Sequence, residues 1–306
     1  MKKIAFIIPW SGKLPNYFGL WLQSCAANPS VDFLVFTSES LPKPVPDNVK
    51  HFAFDFAQIQ RKFQQNFDFP IALNTPYKFC DFKPAYGEVF AEYLKGYDFW
   101  GHCDVDLIWG NIRKFITDDV MEQYDRIYTH GHCILYRNTE RVNAMYRTLP
   151  HEGMQDWKEV FTHEGSFCFD EWHRGGLSEI VKQNHVPYYD GVDMADLDVA
   201  KGSFSPHRMQ EYQAGRTYFE WSAGTLWMKT TEGKQQEVLY AHFQKRHLTI
   251  ESISPTHFFL FAPGIVLDDA GRIGKRNRWA EWRFEVGYWK KRITQKLKKM
   301  CRGVDK

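Results

Sequence analysis

Tyr77-Lys78-Phe79-Cys80-Asp81-Phe82-Lys83-Pro84-Ala85-Tyr86-Gly87, and after it Tyr97-Asp98-Phe99-Trp100-Gly101-His102-Cys103-Asp104-Val105-Asp106-Leu107-Ile108-Trp109-Gly110, is the stretch on which the fold turns. The first part leads into a helix expected to run through Tyr93 or Leu94 and to close at Gly96. The second is an apolar run of strand length that ends in two carboxylates one residue apart. In an extended chain side chains alternate faces, which places Asp104 and Asp106 on one side and turns Val105 into the core. Two hard oxygen ligands at a strand end suit Mg²⁺ or Mn²⁺ held jointly with a diphosphate, because these ions keep positions for phosphate oxygens and water. Two solvated turn aspartates would have the same spacing.

Upstream, Lys3 to Pro9 is a continuous apolar run, Asn16 to Ala27 has helix spacing, and Val31 to Thr37 is β-branched and aromatic. Such a βαβ opening predicts a parallel sheet. Ligand sites in open α/β sheets gather at the carboxyl ends of the strands, which makes Pro9, Trp10 and Thr37 candidate cofactor-binding residues. Neither GxGxxG nor GxxxxGK[ST] is present, so dinucleotide-binding and P-loop chemistry lose their best support. A Pro-rich loop, Leu41 to Pro46, precedes a short strand, Val49 to Phe54, and a polar helix around Gln58 to Gln65.

Downstream, Tyr128 to Asn138 reads as a strand with a small residue and two histidines at its entrance. Phe167-Cys168-Phe169-Asp170-Glu171-Trp172 sets two carboxylates before a helix from Leu177 to Gln183. Asp170 and Glu171 are the candidate catalytic residues, either deprotonating an acceptor hydroxyl or stabilising an oxocarbenium-like centre. Acids favoured by a helix dipole are the plainer alternative. Gly191 to Asp198 is an acidic, DxD-like loop and a rival for metal binding. Leu239 to His247 ends another strand-like run and supplies His242 and Lys245.

The chain has 306 residues, 43% of them apolar, enough for a substantial core and too many for disorder to dominate. Aromatic residues reach 17%, which fits either a sugar-like ligand or an aromatic core. The longest early apolar stretch, Ile4 to Trp10, is too short to span a bilayer or to form a signal-peptide core, and the six cysteines have no CxxC spacing. Reduced thiols, no zinc site and a cytoplasmic location are therefore expected. The net charge of +2 conceals a division: between Lys275 and Arg302 eleven Lys or Arg face two Glu, a local +9, and the body before it is acidic. A nucleic-acid-binding body is unsupported. Trp279, Trp282, Val286, Trp289, Ile293, Leu297 and Met300 recur at helix spacing within that basic tail. The helix is expected over about 276–302, either on anionic lipid or packed on the body through the same stripe.

The block from Phe79 to Gly110 resembles the S-D-x-x-R, helix, Gly-x-Tyr, D-x-D arrangement of bacterial GT-A glycosyltransferases, especially an uncharacterised glycosyltransferase-like family of surface-polysaccharide gene clusters. It is more distantly similar to glycosyltransferase families 8 and 32, which carry Arg where Lys83 stands. The resemblance implies a GT-A-like α/β fold, a Rossmann-like mostly parallel sheet with flanking helices, plus a C-terminal amphipathic helix. Residues 1–250 would form the catalytic domain, its nucleotide-binding half about 1–110 and its acceptor-binding half about 111–250, with 251–306 an extension. It further implies a UDP-sugar donor, a surface-polysaccharide or lipopolysaccharide acceptor, and a Mn²⁺ or Mg²⁺ cofactor held by Asp104, Asp106 and His242. Lys78 would be among the donor-binding residues, Asp81 would contact the nucleoside, Lys83 and either Lys245 or Arg246 the phosphates, and Asp104 and Asp106 the ribose as well as the metal. The chain would act peripherally on the inner face of the cytoplasmic membrane. A non-catalytic carbohydrate-binding protein with a structural cation is the alternative. A sugar nucleotidyltransferase is disfavoured, because no Gly-rich, Lys/Arg-bearing loop follows the first strand.

Overall fold

The computed structural model describes residues 1–148, 152–171, 175–212, 217–244, 246–251, 253–275 and 277–303, with side chains described to residue 296. It divides into two units: Met1–Leu14, Asn28–Val105 and Arg113–Gly191 form the first, and Pro15–Ala27, Asp106–Ile112 and Val192–Lys306 the second.

In the first unit the expected opening is present. Strands β1 (Ile4–Pro9), β2 (Val31–Phe36), β3 (Val49–Phe52) and β4 (Phe99–Cys103) are mutually parallel in the order β3-β2-β1-β4. Every residue of β1 and β4 is buried, as continuous apolar runs in central parallel strands require. The chain then passes through Asp104 to Asp106 into β5 (Leu107–Trp109), which belongs to the second unit. β6 (Arg126–Ile127), β7 (Cys133–Arg137) and β8 (Tyr188–Tyr189) complete a seven-stranded sheet, with β7 antiparallel to β4 and β6.

Helices Phe56–Gln64, Trp157–Thr162 and Leu177–Gln183 share one buried core with Ala5, Ile7, Leu34 and Phe36 of the sheet. The first starts at a capping box: Asp55 accepts from the Gln58 N–H, and Gln58 accepts from the Asp55 N–H. The core itself is aromatic. Phe82 stacks on Phe161 at 4.2 Å and Trp100 on Tyr136 at 4.6 Å between ring centroids. Much of the aromatic composition is thus spent on packing, at about 1.5–3 kcal/mol for each large side chain buried.

The continuous helix expected after Lys78 is instead a chain of short turns: 3₁₀ at Pro76–Lys78, α at Phe79–Phe82, 3₁₀ at Lys83–Ala85, α at Tyr86–Val89 and 3₁₀ at Ala91–Tyr93. Pro84 cannot donate to the preceding turn, and it sits where the first α segment stops. Gly87 lies against Trp100 so closely that a Cβ would be 2.7 Å from the indole. Gly96, at φ +83°, ends the segment as expected.

The second unit holds two sheets. β9 (Ala195–Asp196) pairs in parallel with β13 (Tyr240–His242), which runs antiparallel to β5. The larger sheet contains β10 (Thr217–Ser222), β11 (Thr225–Thr230), β12 (Gln235–Glu237), β14 (Thr249–Ile250), β15 (His257–Phe261) and β16 (Ile265–Leu267), in the order β12-β11-β10-β15-β16-β14. Strict in–out burial along β10 and β11 and two positive-φ residues, Ala223 and Gly224, make that pair a tight hairpin. Helix Phe18–Ala26 belongs to this unit.

The C-terminal helix, Arg278–Gly303, forms as the periodicity predicts. Packing of the stripe on the body is overturned: Trp279, Trp282, Val286, Trp289 and Ile293 are exposed, and a different face of the helix is held. Leu297 and Met300 lie beyond the described side chains. Among the described residues no helix is long and apolar enough to cross a membrane.

Candidate functional site

In the first unit the site is built around Lys83. Its ammonium donates to Asp104 Oδ1 at 3.0 Å and to the Gly131 carbonyl at 2.6 Å, and lies 3.3 Å from Asp170 Oδ2. The Gly131 N–H in turn donates to Glu171 Oε1 at 3.1 Å. A Cβ at Gly131 would fall 2.4 Å from Asp170 Oδ2 and 2.8 Å from Glu171 Oε1, so any larger residue requires both carboxylates to move. Burial pushes the Asp170 carboxyl up to about 7 against the opposing pull of Lys83, with Glu171 and Asp104 adding to the rise. Burial also works against the Lys83 ammonium, but Asp104 and Asp170 outweigh it and hold it firmly protonated. His102, buried on β4, is kept neutral by burial and by the nearby cations Lys83 and Arg126.

The segment bearing Asp170 is fixed by a second buried pair. Lys78 Nζ donates to Asp81 Oδ2 at 2.8 Å and to the carbonyls of Val160 and Gly165 at 2.8 and 2.6 Å. Asp81 accepts the N–H groups of Phe167 and Phe169, each at 3.0 Å. Lys78 and Asp81 are 1% and 0% exposed, so their polar atoms are spent on the chain itself. Asp81 is also not a helix N-cap, since it lies inside Phe79–Phe82. The dipole explanation of Asp170 and Glu171 fails as well: the helix begins at Leu177 with Gly176 as N-cap, and its first-turn acid is Glu179. Cys168, two residues before Asp170, has φ +54°, and Tyr128, just before the histidine segment, has φ +69°. Strained backbone of this kind gathers at functional sites.

Asp104 and Asp106 do not share one face of an extended strand. Cys103 is the last residue of β4, the Asp104 N–H donates to the His132 carbonyl at 2.9 Å, and the chain bends at Val105 and Asp106 before β5. Val105 is buried as expected. Asp104 belongs to the first unit and Asp106 to the second, because the backbone changes its hydrogen-bonding partners from one sheet to the other at this point.

In the second unit the Asp106 carbonyl accepts the Phe243 N–H, and the Asp106 carboxylate lies 3.5 Å from His242 Nε2. His242 Nδ1 meets Asp196 Oδ1 at 2.7 Å, in register across β9 and β13, and Gln244 donates to the same oxygen. Burial opposes the charge on His242, but hydrogen bonds to Asp106 and Asp196 outweigh it and lift the imidazole to about 10. Tyr17 is pushed above its ordinary range by burial and by Asp106. Gln244 has φ +50°. The acidic stretch expected to be a loop therefore supplies a strand, with Asp196 as the orienting partner of His242.

The remaining candidates are at strand ends of the first unit. Pro9 closes β1, the Trp10 indole donates to the Gly12 carbonyl at 2.7 Å, and buried Thr37 follows β2 with its carbonyl 2.9 Å from His51 Nε2. Lys245 and Trp172 lie outside the described residues. Sequence reasoning missed Gly131 as a structural requirement. Its signal was a lone glycine between two histidines just upstream of an apolar strand.

Fold and site together define an α/β protein with a mostly parallel sheet and a lysine–carboxylate cluster at the carboxyl end of a central strand. The chain belongs to DUF6625, a family of unknown function, whose model matches residues 6–268. No curated protein sequence matches it. Among solved structures, mouse xyloside xylosyltransferase 1 is similar at 9% identity and a TM-score of 0.43, over 81% of this chain and 99% of that one. The galactosyltransferase LgtC, in complex with donor and acceptor sugar analogues, is 9% identical with a TM-score of 0.34, over 64% and 75%. The glycosyltransferase GlyE of Streptococcus pneumoniae TIGR4 is 11% identical with a TM-score of 0.30, over 63% and 46%.

Proposed function

We propose that this protein transfers a glycosyl group from a nucleotide sugar, a UDP-sugar, to a surface-polysaccharide or lipopolysaccharide acceptor. The observation that carries the reading is the Lys83 cluster: one partly buried ammonium beside Asp104 and Asp170, with Glu171 joined to it through the Gly131 peptide. Lys83 is a fixed positive charge for a leaving diphosphate. Asp170 is poised to change protonation near neutral pH, as a general base must. In an inverting course the acceptor hydroxyl gives its proton to Asp170 while its oxygen bonds to the anomeric carbon. The bond from that carbon to the phosphate oxygen breaks, and the diphosphate leaves with the electron pair. In a retaining course Asp170 and Glu171 stabilise positive charge at the anomeric carbon. Lys78 and Asp81 act by holding the Asp170 segment in place.

A divalent cation, Mn²⁺ or Mg²⁺, belongs to this reading. The donor set fits it once the cation displaces the proton that Asp106 and Asp196 hold on His242: Asp106 would offer a hard oxygen, His242 its freed Nε2, and Asp196 would orient that ring through Nδ1. Asp104 would add the second carboxylate of the motif. When bound, the cation neutralises the leaving diphosphate. Lys245 would face the phosphates, and Pro9, Trp10 and Thr37 the nucleoside. The acceptor is a glycan or a lipid-linked glycan, and the protein works peripherally at the inner face of the cytoplasmic membrane.

The test is thermal stabilisation by a panel of nucleotide sugars with and without Mn²⁺, followed by turnover of the stabilising donor. Release of nucleoside diphosphate that is lost in Asp106→Asn and in excess EDTA supports the reading. Sugar binding without turnover of any donor favours the non-catalytic alternative.

A further inference from the structure

The C-terminal helix is turned the wrong way round for a packed amphipathic helix. It is held to the second unit by a polar face: Glu281 is buried, the Gly202 N–H donates to Glu285 Oε1 at 2.9 Å, and the Arg246 guanidinium lies 4.5 Å from the Phe284 ring centroid. Gly202 lets the helix approach so closely that a Cβ there would be 2.3 Å from the Glu281 carbonyl oxygen. These contacts set the rotation of the helix about its axis. The apolar stripe is left outside, with Trp279 62%, Trp282 59%, Trp289 51% and Ile293 57% exposed.

Three tryptophans and an isoleucine left in water along one line are apolar surface whose burial would be favourable. The cations beside them indicate what covers them. Lys290, Lys291, Arg292 and Lys296 are exposed on the same helix, and no acid follows Glu285 as far as Gly303. A second copy of the chain would bring an equally basic helix against this one, and like charges repel. A bilayer surface with anionic headgroups satisfies both features, since tryptophan favours the interface and long basic side chains reach from it to the phosphates.

We infer that the outward stripe of the Arg278–Gly303 helix, Trp279, Trp282, Val286, Trp289 and Ile293 with Lys290, Lys291, Arg292 and Lys296, is a docking surface for an anionic lipid membrane. It gives the peripheral placement proposed above its surface and orientation. Vesicle binding is measured separately from donor turnover, so either reading can fail without the other.

The experiment is co-sedimentation of the full chain with vesicles of phosphatidylcholine alone or mixed with phosphatidylglycerol at three to one, at 50 and 500 mM salt. Binding is expected to the mixed vesicles only, at least tenfold weaker at high salt. Trp282→Ser with Trp289→Ser, and separately Lys290→Glu with Lys291→Glu, should each weaken it at least tenfold. All four side chains are solvent-exposed, so circular dichroism and thermal midpoint should be unchanged. No binding at low salt, equal binding to neutral vesicles, or a solution dimer that the tryptophan pair abolishes while vesicle binding persists would overturn the inference.

Discussion

Asp81 is where a ligand-contacting role and a positioning role part company. Buried and paired with Lys78, it holds the N–H groups of Phe167 and Phe169 and so the segment that ends in Asp170. Asp81→Asn should cost about 3–5 kcal/mol, because it strands a buried ammonium, measured as a fall in the urea midpoint. A direct contact with the donor would instead weaken donor binding at unchanged stability. Asp196 is a second such residue, since its carboxylate fixes the ring of His242 from the far side. Asp196→Asn should loosen Mn²⁺ binding about 10- to 100-fold with the fold intact, read by titrating the paramagnetic signal of free Mn²⁺. Unchanged affinity would return Asp196 to a purely structural pairing.

At the scale of elements, the site depends on segments that stop being regular at the right residue. β4 ends at Cys103 and β7 begins at Cys133, so just outside the paired strands the Asp104 carboxylate meets Lys83, and the Gly131 peptide serves Lys83 with its carbonyl and Glu171 with its N–H. Gly131 is the tightest point of this arrangement. Gly131→Ala forces a methyl group against two carboxylate oxygens and should cost about 1–3 kcal/mol, seen in the thermal midpoint. Donor turnover should fall far more than that loss of stability explains, because Lys83, Asp170 and Glu171 must separate to admit the methyl. Full turnover in the alanine variant would mean that these groups need not be so close.

At the scale of the whole molecule, Asp170 couples the site to global stability. Its folded-state value, about 7, lies above the ordinary 3.8. Between roughly pH 4 and pH 7 the native state therefore keeps a proton that the unfolded chain has lost, and stability falls as pH rises through that window, by at most about 4 kcal/mol. Comparing urea midpoints at pH 4.5, 6 and 7.5 isolates the effect: Asp170→Asn should lose this component of the slope and gain on wild type as pH rises. Parallel curves would place the Asp170 titration at its ordinary value.

What the chain's order of residues determined by itself was whatever depends on local period and composition. Continuous apolar runs specified β1, β2 and β4, the spacing of Leu177 to Gln183 specified its helix, and the tail's three-and-four repeat specified the long C-terminal one. The residue types at Lys83, Asp104, Asp170 and Glu171 marked them as separate candidate site residues, because their charges suit phosphate, metal and proton transfer. Only the tertiary structure decided which groups meet. A sequence period fixes faces within one element and is silent once the backbone changes partners, as it does between Asp104 and Asp106. It is equally silent on which face of a helix is held. A stripe of tryptophans looks like the packed face of an amphipathic helix until Gly202, some eighty residues away in sequence, comes close enough to Glu281 and Glu285 to hold the other one.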